Sequence, residues 1–221
     1  MSNSSVPYND YPQMQPNSSF RFACQQCGKC CRNVEKSVMV ESLDLLRLAE
    51  HFRMSPAEVA ERYTEVSSVG WGAPILLLKT TEPDNACVFL KDNLCSVRLR
   101  RPRACRLYPL SVGPDDSLKK FLIFNVSGEQ HHFAKGRWHR AQEWVDDNFR
   151  AVDRAYIKME YRAIKECGKI MNRIPRDRED DVMLLMLRWR YFNFDMSQAF
   201  LTQYLHNMEM LKQELAQLAT K

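Results

Sequence analysis

The order of apolar and polar positions divides the chain into a polar lead, a mixed middle and a helical end. Residues 1–19 mix Ser, Asn, Gln and Pro with scattered aromatics and no period, which predicts a flexible tail, with order beginning near Phe20 and Phe22. Leu43, Leu45, Leu46, Leu48 and Phe52 then recur at helical spacing with a broad apolar face, and Ser42 stands at the N-cap position. Ser55-Pro56-Ala57-Glu58 sets a hydroxyl at an N-cap, proline at N1 and Glu at N3, so a second short helix is expected to run through Val66. Gly70, Gly72 and Pro74 break that helix. Ile75 to Leu78, Cys87 to Leu90 and Phe121 to Val126 read as short strands, which predicts a small sheet beside the cysteines.

From Arg137 the period becomes helical. Trp138, Ala141, Trp144 and Val145, then Phe149, Val152, Tyr156 and Met159, are spaced for one buried face that ends by Pro175. Val182 to Phe194 and Met196 to Leu218 read as further helices, the last with an exposed Glu, Gln and Lys face. The expected class is α+β: a small cysteine-rich metal-binding core with a few short strands, plus a mainly helical C-terminal part. The expected division is a tail over 1–19, a cysteine-cluster domain over 20–128 and a helical region over 129–221 packing on it.

Composition changes this picture little. With 221 residues and 45% hydrophobic positions, the chain can bury a core. Its start, MSNSSVPYND, has neither the basic nor the apolar region of a leader, and no stretch approaches the roughly 20 apolar residues of a membrane helix. A cytoplasmic protein with no membrane partner is expected. A net charge of +5, without aromatics interleaved among basic residues, argues against nucleic acid. Phosphate-loop, dinucleotide-turn, zincin-helix and C-x3-C-x2-C patterns are missing, so the sequence assigns no catalytic residue.

The chemistry lies in the cysteines. Cys24, Cys27, Cys30 and Cys31 form one group, and Cys87, Cys95 and Cys105 form a second. In a reducing compartment, clustered thiols are more often ligands than disulfides. Two-residue gaps let successive thiolates converge on one centre, and Gly28 supplies the positive φ that a tight loop needs. A C-x2-C-x2-C triplet with a remote cysteine is the arrangement of bacterial ferredoxins, whereas zinc sites more often use two C-x2-C knuckles. Cys30 and Cys31 are adjacent, and in an extended loop their side chains point apart, so one of them is expected to serve a second centre.

Arg98, Arg100, Arg101, Arg103 and Arg106 crowd the second group, where positive charge would stabilise thiolates or hold an anionic cofactor. Arg101 and Arg106 are the candidate cofactor-binding residues. His131 and His132 are candidate imidazole ligands, and Cys167, within a helical stretch, reads as a small core residue.

Together the two groups resemble the YkgJ-type cysteine-cluster family of zinc- or iron-chelating CxxCxxCC proteins. The shared elements are Cys24-x2-Cys27-Gly28-x-Cys30-Cys31, Cys87-x-Phe89-Leu90, Cys95, and Arg101-Pro102-x2-Cys105-Arg106-x-Tyr108-Pro109. The resemblance covers roughly residues 22 to 109. Many relatives carry a further C-P-G element where this chain has Asn125-Val126-Ser127-Gly128, so an eighth thiol is missing there.

The resemblance implies a metal-binding protein holding an iron–sulfur cluster, with 4Fe-4S favoured, or zinc. Cys24, Cys27, Cys30 and Cys105 form the expected first ligand set, leaving Cys31, Cys87 and Cys95 for a second. Flagellin lysine methylases contain a similar cysteine-rich region, which implies methyl transfer as the enzymatic alternative; no methyl-donor motif accompanies it here. A third reading is a metal-dependent interaction or maturation factor that docks an unknown protein partner through Met183, Met186, Trp189, Tyr191 and Phe192. The competing reading of that stripe is helical core.

Overall fold

The computed structural model describes residues 11–34, 37–70, 72–127 and 136–220. Its elements run β1 (Gln13–Met14), β2 (Ser19–Phe22), β3 (Met39–Val40), α1 (Ser42–Phe52), α2 (Pro56–Tyr63), β4 (Thr64–Ser68) and β5 (Pro74–Leu78). They continue with β6 (Thr80–Thr81), β7 (Ala86–Cys87), β8 (Leu90–Lys91), β9 (Leu94–Cys95), α3 (Arg103–Leu107), β10 (Leu110–Pro114) and β11 (Phe121–Asn125). The helical end holds β12 (Arg137–Arg140), α4 (Ala141–Asn148), α5 (Ala151–Met171), α6 (Glu179–Met186) and α7 (Phe200–Leu218). The class is α+β, as the residue pattern predicts, with short antiparallel strands and a mostly helical C-terminal part.

Packing divides the chain into two compact units, each made from two separated stretches: residues 1–27 with 103–151, and residues 28–102 with 152–221. In the first unit, β1 and β10 flank β11 in an antiparallel sheet, and β2 pairs with β12 in a separate ladder. β1 lies inside the segment read as a tail, and its pairing with β11 shows order before Phe20. Phe20 and Phe22 point inward from β2 onto Trp144, at 5.8 and 5.5 Å between ring centres. Trp144 also donates its indole N–H to Leu107 O at 2.8 Å. Gly136 admits β2 at close quarters, since a Cβ there would lie 2.2 Å from the Phe22 carbonyl carbon.

The helical expectation from Arg137 needs correction. Residues 137–140 form β12 instead, and Trp138 is 68% exposed with the Arg21 guanidinium 5.7 Å above its ring. The helix then breaks at Phe149, whose ring is buried against Phe121.

In the second unit, β3 and β4 flank β5, and α1 and α2 cover a core of Val40, Leu45, Leu48, Val59, Leu76 and Phe89. The Ser55 capping box forms as predicted: Ser55 Oγ accepts from the Glu58 N–H, and the Glu58 carboxylate accepts from the Ser55 N–H at 2.7 Å. Two boundaries differ from expectation. Helix α2 stops at Tyr63, because Thr64 to Ser68 pair with β5. Ser42 lies inside α1 rather than capping it; its N–H donates to Tyr156 Oη, and its buried hydroxyl has no hydrogen-bond partner among the described residues.

The helical part of this unit buries charge in pairs. Arg190 Nε donates to Glu160 Oε1 at 2.7 Å and its Nη1 to Pro74 O at 2.8 Å, while Tyr204 Oη donates to the other Glu160 oxygen. Arg47 Nη1 meets Asp153 Oδ1 at 2.6 Å. Arg190 sits in a π-helical stretch, Leu187–Phe192, between α6 and α7. Met186, Trp189 and Tyr191 are buried there, so most of the stripe considered for docking is core.

Candidate metal centre

The first cysteine loop begins where β2 ends. Gly28 takes φ 69°, as the spacing required, and a 3₁₀ turn over Lys29–Cys31 follows, closed by the Cys31 N–H on Gly28 O at 2.9 Å. A Cβ at Gly28 would press on Leu90 Cδ1 at 3.3 Å in addition to the backbone strain. The turn alters the expectation for the adjacent cysteines. Their side chains do not point apart: the Cys30 and Cys31 sulfurs lie 3.9 Å from each other. Cys30 is exposed, and Cys31 is half-buried against the core of the second unit.

Downstream, the loop is tied to the segments that carry the next thiols. Asn33 N–H donates to Asp84 O at 2.9 Å, Arg32 pairs with the Asp84 carboxylate, and Arg32 Nη2 donates to Asn93 Oδ1 at 2.8 Å. Cys87 ends the β6–β7 ladder opposite Thr80, and Cys95 stands opposite Leu90 in the β8–β9 hairpin. Asp92 and Asn93 turn that hairpin with φ of 49° and 62°, the left-handed pair that a two-residue hairpin uses. The stretch expected as one strand, Cys87 to Leu90, is therefore split between β7 and β8, which places Cys87 and Cys95 on separate ladders.

The electrostatics link these thiols. The hydrogen-bonding contact with Cys31 lowers the Cys30 thiol from 9.0 to about 7; partial burial opposes this, and the Arg101 charge adds to it. Burial raises Cys87, and negative charge on Cys95 and Cys30 raises it further. Burial also raises Cys95, against the Val97 backbone N–H and the charges of Arg101 and Arg98. Cys30, Cys31, Cys87, Cys95 and Arg101 thus belong to one neighbourhood of the second unit. Among the described residues, no group of three or more Cys, His, Asp or Glu side chains stands arranged to hold a metal ion. Thiolate sites are seldom preformed without metal, and binding draws the ligands in.

The donor set suits a thiophilic metal. For zinc with sulfurs about 2.3 Å away in a tetrahedron, neighbouring sulfurs stand about 3.8 Å apart. The 3.9 Å between Cys30 and Cys31 matches one edge of that figure.

The other predicted residues are placed as follows. Cys24 and Cys27 are exposed and Cys105 is half-exposed on α3, all three in the first unit. Arg101 donates Nε to Arg98 O, while Arg106 donates Nη1 to Asn148 O at the end of α4 in the first unit. Arg103 is buried, with its guanidinium 5.7 Å from the Phe149 ring and Nη1 on Val112 O. Cys167 is fully buried in α5, and burial raises it to about 11. His131 and His132 lie outside the described residues. The sequence reading missed Arg32, Asp84 and Asn93; the polar pairs Asp84-Asn85 and Asp92-Asn93 are turn signals that pointed to them.

No helix among the described residues is long and apolar enough to cross a membrane. Searches among curated proteins and among solved structures returned no match. A family model, described as a "putative zinc- or iron-chelating domain", matches residues 23–135, just over half of the chain and both cysteine groups. The chain belongs to the CxxCxxCC family.

Proposed function

We propose that this protein is a metal-binding protein whose second unit holds a single zinc ion through Cys30, Cys31, Cys87 and Cys95. The observation that carries the reading is the 3.9 Å sulfur separation at Cys30 and Cys31, which suits two corners of one tetrahedral ion. Four thiolates fill zinc's coordination sphere and leave no position for substrate, so the ion's contribution is structural. It would pin the first loop to the two hairpins that carry Cys87 and Cys95 and neutralise charge gathered beside Arg101. Cys24, Cys27 and Cys105 are proposed as the thiolates of a second centre.

The competing reading is an iron–sulfur cluster on Cys24, Cys27, Cys30 and Cys105, and its support is the loop spacing. Each iron of a cube takes one cysteine, which leaves the close approach of Cys31 to Cys30 without a role. Metal analysis and an absorption spectrum on protein purified without oxygen separate the two. Stoichiometric zinc in a colourless protein, with metal lost in Cys31→Ser and Cys87→Ser but kept in Cys167→Ser, is the expected result. Iron with sulfide and a broad band near roughly 400 nm would replace the zinc reading with the cluster. Equal metal in all three variants would remove the zinc reading, and metal also unchanged in Cys27→Ser and Cys105→Ser would remove the cluster as well.

A further inference from the structure

We propose that Cys30 and Cys31 form a reversible vicinal disulfide under oxidation, making this turn a redox-sensitive modification site. The sulfurs already lie 3.9 Å apart, and closing the remaining gap to about 2.05 Å takes side-chain rotation together with a local adjustment of the turn's backbone. Cys30 is exposed, so a small oxidant reaches it, whereas Cys31 leans on the core and is held beside its neighbour. The left-handed Gly28 and the Cys31 N–H on Gly28 O fix the turn that brings the pair together.

With a peroxide as oxidant, the step balances. The Cys30 sulfur attacks one peroxide oxygen, the O–O bond breaks, and a sulfenic acid and one water result. The Cys31 sulfur then attacks the Cys30 sulfur, the S–O bond breaks, and a second water carries away the remaining thiol proton. Two electrons pass from the two sulfurs to the peroxide.

The bond is a strained one. Adjacent Cα atoms are about 3.8 Å apart, below the usual disulfide range of about 4.4–6.8 Å. Strained, exposed disulfides are the readily reduced ones, so a thiol reductant restores the pair. One consequence rests on the zinc reading: oxidation removes two of the four proposed ligands together and closes the site to metal.

Tryptic cleavage makes the bond directly readable. Cutting after Arg21, Lys29 and Arg32 puts Cys24 and Cys27 on one peptide and leaves Cys30-Cys31-Arg32 as a tripeptide. The metal-free 221-residue protein is treated with hydrogen peroxide, its remaining thiols are alkylated, and the digest is weighed by mass spectrometry. The expected product is an unalkylated tripeptide lighter by two hydrogens, which becomes doubly alkylatable after dithiothreitol. Tripeptide joined to Phe22–Lys29 or to a peptide carrying Cys87 or Cys95, or a tripeptide still alkylated at both sulfurs, overturns the proposal. Because the readout is covalent and metal-free, it is independent of the zinc reading. Zinc uptake by oxidised against reduced protein, at least tenfold lower if the gate operates, tests the linkage separately.

Discussion

Cys30 and Cys167 are the same chemical group in two regions of one unit, and the fold treats them oppositely. On the exposed 3₁₀ turn, a neighbouring thiol and Arg101 hold Cys30 down at about 7. Inside α5, burial, joined by the negative charge of Glu160, pushes Cys167 up to about 11 against the weaker pull of Lys212 and Arg190. The helical region answers each buried charge from within the protein, as Glu160 is answered by Arg190 and Tyr204, and Asp153 by Arg47. The cysteine region instead gathers one acidic thiol, two thiols raised by burial and the charge of Arg101 on short turns. One region is complete as folded; the other is where the zinc ion is proposed to sit.

The largest expected effect is in reactivity. At pH 7 about half of Cys30 is thiolate, against about one part in 10⁴ of Cys167, so alkylation rates in metal-stripped protein should differ by on the order of 10³ to 10⁴. Iodoacetamide labelling followed by peptide mapping measures this. Comparable rates would erase the contrast.

Next is the self-sufficiency of the helical region. Glu160→Ala leaves Arg190 buried without its carboxylate and should cost about 3–5 kcal/mol in urea unfolding. Metal content of the folded protein should not change. A Glu160→Leu, Arg190→Met double variant should recover most of the loss, because the pair's charges then leave the core together. Metal loss in Glu160→Ala would show that the two regions are not separable.

The alkaline limb of stability gives a third, smaller effect. A group whose folded pKa lies above its unfolded one stabilises fully below the unfolded value and loses that contribution as pH rises through the folded value. Cys167 therefore weakens the fold between about 9 and about 11, and Tyr191, raised by burial to about 12, does so from about 10 upward. In Cys167→Ala the urea midpoint should decline less steeply from pH 9 to pH 10 than in the parent. An unchanged slope there would count against the buried thiol. The smallest effect is at Arg101. Removing its charge in Arg101→Met should slow Cys30 alkylation at pH 7 a few-fold, since the contact with Cys31 dominates that pKa.

Local chemistry was legible in the residues, and long-range pairing was not. The Ser55–Glu58 capping box and the left-handed Gly28 were readable because each is decided within four residues. The family was readable because its cysteines and the Arg101-Pro102 pair stand at fixed spacing. Trp138 was misread as helical because its partner strand lies far back in the chain, and no period within 137–145 reports that pairing. The approach of Cys31 to Cys30 was hidden for a related reason. It follows from a 3₁₀ turn whose downstream end is anchored by Asp84 and Asn93, residues more than fifty positions away.

The β2–β12 ladder carries a consequence for how the molecule is made. His139 contacts Phe22 across 117 positions of sequence. At about 5–20 residues per second, a ribosome needs on the order of ten seconds to deliver β12 after β2 has emerged. During that interval the strand leading into Cys24 and Cys27 has no ladder partner, so these thiols reach the nascent chain's surroundings before their sheet exists. Metal capture or thiol chemistry at the first loop can therefore begin during translation, ahead of the fold that will hold it.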